Sequence, residues 1–377
     1  MTRVGLFLVV AGATLIPFCR TPTNPSRPPE SDGITRVRAG RGPSALTAAD
    51  VNADGFLDLL VGNELSGDVS VLLGDGRGGF QPSSSLFPAG PNPLDIAVGD
   101  FNRDTHLDLA IANHDTSVVT VLLGDGSGAF APAIGSPFFT GSRPHVHSVA
   151  TADLNGDGLL DLVMESADTD SVQVLYGDGR GRFSSPAPFF VGALPYYRVR
   201  VGDLNGDGRP DVVVALSREN AVAVMRSDGR GNLVPAPGSP YPAGGSNPLT
   251  VAIGDLNGDR RPDLSVIHSM GVSLLLSDGL LFQPANRSPF SAGSAPSNLA
   301  LADLNGDGML DVIVSNVTSN NLTLLLSGAS GPAVTVRTLG VGRHPQEVAT
   351  GDFDRDGRMD VAVANSQDDD VAIWLNR

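Results

Sequence analysis

The chain has no lysine: all 25 of its basic residues are arginine. That removes Schiff-base catalysis and the lysine of a Walker-type phosphate loop. It has one cysteine, Cys19, which excludes an intrachain disulfide, a cysteine-based zinc site and a dithiol redox pair. One tryptophan, Trp374, and four tyrosines leave few aromatic platforms for sugar rings. Positive charge is scarce as well, since 41 acidic residues bring the formal charge to −16 and the isoelectric point to about 4.6. Such a chain repels phosphate backbones and anionic headgroups, so nucleic acid is excluded as a partner and the complementary ligand is a cation. No window carries a sustained 3.6-residue apolar period with caps, so almost no helix is expected. The motifs of acyl transfer, zinc proteolysis and phosphate binding are missing too, and no acid pair stands apart from the aspartate clusters described below, so no catalytic residue is assigned.

Glycine and proline are abundant, at 46 and 28 of 377 residues, beside a hydrophobic fraction of 41%. That combination describes many turns joining short strands around a core, and closed β architectures of this length form single units. Residues 1–19 differ from the rest. Arg3 precedes a 13-residue apolar run from Val4 to Ile16, too short to span a bilayer but suited to an export signal. Cys19 directly after it permits a lipoprotein reading with a lipid-anchored N-terminus. Bulky Phe18 fits that reading poorly, and a plain export signal stands beside it. Residues 20–33, with Pro22, Pro25, Pro28 and Pro29, read as an extended tether. The expected location is outside the cytoplasm: secreted, periplasmic or at the cell surface.

From residue 34 onward one short pattern recurs seven times, beginning at Asp50, Asp100, Asp153, Asp203, Asp255, Asp303 and Asp352, at spacings of 50, 53, 50, 52, 48 and 49 residues. A near-constant period of about 50 residues without helical signal matches a four-stranded blade of a β-propeller. The second repeat shows the unit. Asp95 to Gly99 and Leu107 to Asn113 flank the Asp-rich loop; Val118 to Leu123 follows; a Gly-rich turn from Gly124 to Gly128 leads to an outer strand from Ala129. The chain ends on Val371 to Leu375, a third strand lacking its fourth, whereas Ile34 to Ala39 supplies a strand before the first loop. An all-β, seven-bladed propeller of antiparallel four-stranded blades, closed by its N-terminal strand over residues 34–377, is therefore predicted.

Each copy places side-chain oxygens at positions 1, 3, 5 and 9. They are Asp50, Asn52, Asp54 and Asp58; Asp100, Asn102, Asp104 and Asp108; Asp153, Asn155, Asp157 and Asp161; Asp203, Asn205, Asp207 and Asp211; Asp255, Asn257, Asp259 and Asp263; Asp303, Asn305, Asp307 and Asp311; and Asp352, Asp354, Asp356 and Asp360. Hard oxygen donors at that spacing suit calcium, with the carbonyl of position 7 as a further ligand. A lone Asp-Gly segment is equally well read as a turn. Three aspartates in each of seven copies, with Asp354, make 22 of the 41 acidic residues, and clustering carboxylates so tightly favours a counter-ion. Up to seven calcium ions are expected, bound at about 10⁻⁴ to 10⁻³ M as in extracellular modules. Position 6 is glycine in five copies and Thr105 or Arg260 in the other two, where a positive φ would weaken the site.

Ala97-Val-Gly-Asp-Phe-Asn-Arg-Asp followed by Leu107-Asp-Leu-Ala-Ile-Ala-Asn resembles the FG-GAP, or VCBS, repeat of bacterial surface proteins, similar to the calcium-binding blades of the integrin α-subunit propeller. The third-position Asp of that pattern is Asn in six of the seven copies. The resemblance implies the propeller, calcium in the loops and export. It constrains function loosely, because such folds serve as adhesion modules, lectins and polysaccharide-degrading enzymes.

A partner is expected on the face opposite the Asp loops. Five positions before each loop stand Ala45, Asp95, Ser148, Arg198, Thr250, Asn298 and Glu347, dissimilar residues around a channel mouth. One reading is a ligand site with Asp95, Arg198 and Glu347 as charged anchors walled by Tyr196, Tyr197, His145 and His147; the other is a solvated rim. His145 and His147 share a strand face but lack a third ligand in the sequence and read as surface histidines. The function expected is a monomeric binding or adhesion scaffold for a surface protein or glycan. A lectin, or a polysaccharide lyase or hydrolase working at the channel mouth, is the alternative.

Overall fold

The computed structural model describes residues 33–141, 145–328 and 331–377. The export signal, Cys19 and all but the last residue of the tether lie outside them. Seven antiparallel sheets follow one another along the chain, and the only helical element among the described residues is a single 3₁₀ turn, Ala167–Thr169. No helix of the described residues is long and apolar enough to cross a membrane.

The first blade is Pro43–Ala49, Asp58–Asn63, Asp68–Gly74 and Phe80–Pro88, from the channel outward. In the last blade Pro345–Gly351, Asp360–Asn365 and Asp370–Trp374 are completed by Ile34–Arg38, paired from Ile34 opposite Trp374 to Arg38 opposite Asp370. The predicted closure is therefore made by backbone hydrogen bonds. Arg36 reinforces it from its side chain, 3.2 Å from Asp370.

The second strand of every blade explains why the ring must close. All seven begin at the position-9 aspartate and run six residues, and every one of those residues is buried. Runs such as Asp-Leu-Leu-Val-Gly-Asn are apolar on both faces, as a strand sandwiched between two neighbouring sheets requires. Seven core clusters accordingly lie between blades. Leu60 and Val71 of the first meet Leu109 and Ile111 of the second. Val363 of the seventh packs with Leu322 and Leu324 of the sixth. Val371 and Ile373 of the seventh pack with Leu59 and Val61 of the first, joining the chain's ends in one core.

The outer strands depart from the simple pattern. In the second and fourth blades the fourth strand is split, as Phe130–Pro132 with Phe138–Phe139 and as Leu233–Pro235 with Tyr241–Pro242. Proline cannot donate to the sheet, so the outermost strand breaks where prolines cluster. A serine hydroxyl stands in as acceptor: Ser136 Oγ takes the N–H of Val121 and Ser239 Oγ that of Val224, both at 2.9 Å.

Candidate functional site

Each Asp-rich loop joins the channel end of one strand to the start of the next, and the same hydrogen-bond frame recurs in all seven. The position-1 carboxylate accepts the N–H groups of positions 5 and 6; in the first loop Asp50 takes Asp54 at 3.1 Å and Gly55 at 2.8 Å. The position-3 oxygen accepts position 5, and the position-5 carboxylate accepts position 7, as Asn52 does from Asp54 and Asp54 from Phe56. This frame demands a left-handed residue at position 6. The φ there is +85° at Gly55 but also +74° at Thr105 and +66° at Arg260, so two loops carry the strained conformation on a side chain. Position 4 is left-handed too, from Ala53 at +57° to Gly258 at +80°. Sequence reasoning missed it, although glycine at 156, 206, 258 and 306 was the available signal.

Position 9 is a second hub. Its carboxylate accepts the N–H of position 2 and one from the far end of the third strand: Asp108 takes Phe101 at 2.8 Å and Gly124 at 2.9 Å. These aspartates are fully buried, and burial, opposed by those two hydrogen bonds and reinforced by the position-1 and position-5 carboxylates, raises Asp108, Asp161 and Asp263 to about 6. In the seventh loop the carboxylates of Asp352, Asp354 and Asp356 converge within 4.8 Å of one another. The shared frame puts an asparagine oxygen where Asp354 stands in the other six. Three converging oxygens above a buried carboxylate are a hard-donor set, which a divalent cation of calcium's kind fits.

At the opposite end of the innermost strands, the residues five before each loop are all buried, so neither an open set of anchors nor a solvated rim exists there. Arg198 is 3% exposed. It spans the channel, bonding Asp95 of the second blade through Nη1 and Glu347 of the seventh through Nη2, the latter at 2.9 Å. Burial alone would lower the Arg198 pKa, but the two carboxylates outweigh it and raise it, so the charge is permanent. Members of the ring also tie some blades to the next. Asp95 accepts the N–H of Val149 at 3.2 Å, Ser148 Oγ that of Val199 at 2.8 Å, and Glu347 that of Leu46 at 3.1 Å. The three charged anchors are thus turned on one another and on the ring, with the buried Nε of Arg198 left without a hydrogen-bond partner. Beyond them toward the Asp loops lies a cavity of about 500 Å³, lined by every blade and bearing Arg200.

The histidine reading is corrected as well. His147 is buried, 3% exposed, with Nδ1 2.9 Å from a Glu165 carboxylate that is itself fully buried. The third histidine missing from the sequence reading is His114, in the turn after the second strand of the second blade, and one ring nitrogen from each of His114, His145 and His147 lies within 4.8 Å of the others. Burial, then the neighbouring His147 ring, lowers the His114 pKa. Tyr196 and Tyr197 pack on His147, with ring centroids 4.6 and 5.4 Å away. Only the half-buried tyrosines and exposed His145 keep the surface position expected of the wall.

Two outcomes follow. Arg198→Met leaves two buried carboxylates unpaired and is expected to cost about 3–5 kcal/mol in urea denaturation, partly recovered when Asp95→Asn and Glu347→Gln are added. Thr105→Gly relieves a left-handed β-branched residue and is expected to stabilise the fold by about 1 kcal/mol, whereas Gly158→Ala destabilises by a similar amount.

Six overlapping windows of the chain, residues 50–111, 100–164, 166–214, 203–266, 255–314 and 303–363, match the model of the FG-GAP-like repeat. No curated protein matches the chain. Among solved structures it is similar to a lectin of Agrocybe aegerita that recognises non-reducing terminal N-acetylglucosamine, at 18% identity and TM-score 0.56, covering 89% of this chain and 86% of that one. It is also similar to the periplasmic gluconolactonase of Pseudomonas aeruginosa, at 21% identity and TM-score 0.59, covering 81% and 87%. A third is virginiamycin B lyase of Staphylococcus aureus, at 12% identity and TM-score 0.58, covering 90% and 98%. At these identities the likeness is one of fold, a propeller that elsewhere carries a lectin, a lactonase and a lyase. The matched windows reach from the first Asp loop into the seventh blade, and on them the chain belongs to the FG-GAP-like repeat family.

Proposed function

We propose that the protein is an exported, calcium-stabilised propeller that acts as a binding scaffold at or beyond the cell surface. The observation that carries this is the sevenfold repetition of one oxygen-donor frame, in which carboxylates that repel one another are held by backbone N–H groups in every loop, with arginine reaching them only in the fourth, at Asp207, and the seventh, at Asp354 and Asp356. Position 1 together with the oxygens of positions 3, 5 and 9 would hold each ion. The first, third, fourth, sixth and seventh loops, with glycine at position 6, are the stronger sites. Bound calcium supplies charge neutralisation there; the chain's own contribution is to keep the donors converged. The ligand face is assigned to the end opposite the loops, where Tyr196 and Tyr197 are half-buried beside the histidines. A surface protein or glycan is the partner class that such a rigid face suits. No catalytic motif is present in the sequence, and the shared fold with a lectin, a lactonase and a lyase supports no particular chemistry.

Calcium bound only by the folded state stabilises it by about 1.4 kcal/mol per site at ten times Kd. Chelation is therefore expected to lower the melting temperature by several degrees, and an unchanged melting curve in EDTA would overturn the proposal. The pH dependence separates metal from charge. In the metal-free protein Asp108, Asp161 and Asp263 hold protons up to about pH 6, whereas the unfolded chain releases them near its ordinary carboxylate values. The folded state then binds more protons in that window, so stability in EDTA falls as pH rises from about 4 to 6. Excess calcium, which requires the ionised carboxylates, is expected to abolish or invert that slope in denaturant titrations across the same range.

A further inference from the structure

The cluster of His114, His145 and His147 is distinct from the Asp loops in place and in chemistry. The loops follow the innermost strands, whereas His145 and His147 precede the third blade's innermost strand and His114 follows the second blade's second strand, at the other end of the sheets. Its donors are imidazole nitrogens, which calcium does not favour and zinc-class transition metals do.

Three features make it more than a stack of rings. The Nδ1 of His145 and the Nε2 of His114 are 3.3 Å apart. Two nitrogens on one tetrahedral zinc, each at about 2.0–2.1 Å, are separated by about that distance. His147 is held by Glu165, whose Oε1 sits 2.9 Å from Nδ1 and also accepts the His147 backbone N–H at 2.8 Å. His114 is held likewise, its Nδ1 lying 3.0 Å from Asp115. A carboxylate on Nδ1 fixes the proton there and leaves Nε2 as the nitrogen with the lone pair, the outer-shell arrangement of metal-ligating histidines. The third nitrogen lies within 4.8 Å of the other two.

We propose that His114, His145 and His147 bind one zinc-class divalent ion, with Glu165 and Asp115 as positioning residues and the fourth coordination position open to solvent on the exposed side of His145. Three protein ligands with one open position are the arrangement of sites that take an exogenous ligand rather than of closed structural sites. The ion would thus sit on the proposed ligand face, available to an anionic or carbonyl group of a partner.

The test is isothermal titration of the full chain with zinc chloride after metal removal, once without calcium and once with calcium in excess. One zinc per chain is expected in the unmodified protein. His145→Ala, at an exposed position, is expected to weaken it by about 100-fold or more, and Asp115→Asn, also exposed, by about tenfold. A cobalt(II)-loaded sample is expected to show the absorption of four-coordinate cobalt, lost in His145→Ala. Zinc binding of equal strength in His145→Ala, no stoichiometric binding, or binding abolished by excess calcium would each overturn the proposal; the last would put zinc in the Asp loops. Circular dichroism of both variants checks that they remain folded, and a variant that does not is replaced by His114→Gln.

Discussion

The structure rests on a strand that cannot be satisfied by its own sheet. Each second strand is apolar on both faces, so every blade must be covered on two sides, and a row of such blades has no end until it meets itself. The join between Ile34–Arg38 and Asp370–Trp374 answers that demand, and Val37 shares a core with Val371 and Ile373. Hydrophobic burial therefore sets the topology, and hydrogen bonding makes it specific.

The position-9 aspartate links this scaffold to the loops. It begins the doubly buried strand and anchors both the loop and the end of the third strand, so a donor cluster sits on the stiffest part of each blade. The loops then lock neighbours together: Gly181 of the third blade's hairpin donates to the carbonyl of Phe101 in the second blade's loop at 2.9 Å, and Gly231 donates in the same way to Leu154 at 3.2 Å. An ion held by one loop would thus bear on the next blade as well as its own.

Most of the fold was legible because it is repeated. The spacing of the aspartates marked seven blades, the second repeat's strands were placed within about two residues, and the orphan third strand at the C-terminus pointed to closure. Closely spaced residues were read well for the same reason: φ at Thr105 and Arg260 is positive, as the loop pattern required. What was not legible depends on contacts across the ring. Asp95, Arg198 and Glu347 stand in the second, fourth and seventh repeats, and no periodicity says that an arginine on one inner strand will reach carboxylates on two others. A polar residue on an inner strand reads as exposed until its partner across the axis is known. His114 escaped for a related reason: it lies in a turn of the repeat before the one carrying His145 and His147.

The Arg198 bridge also divides the axis of the molecule. Arg198, Asp95 and Glu347 are joined across the axis near the inner strands' entry ends, and the cavity of about 500 Å³ lies on the loop side of that bridge. A small solute in that cavity would find Arg200 within. The bridge thus stands between that cavity and the end of the axis that carries Tyr196 and Tyr197.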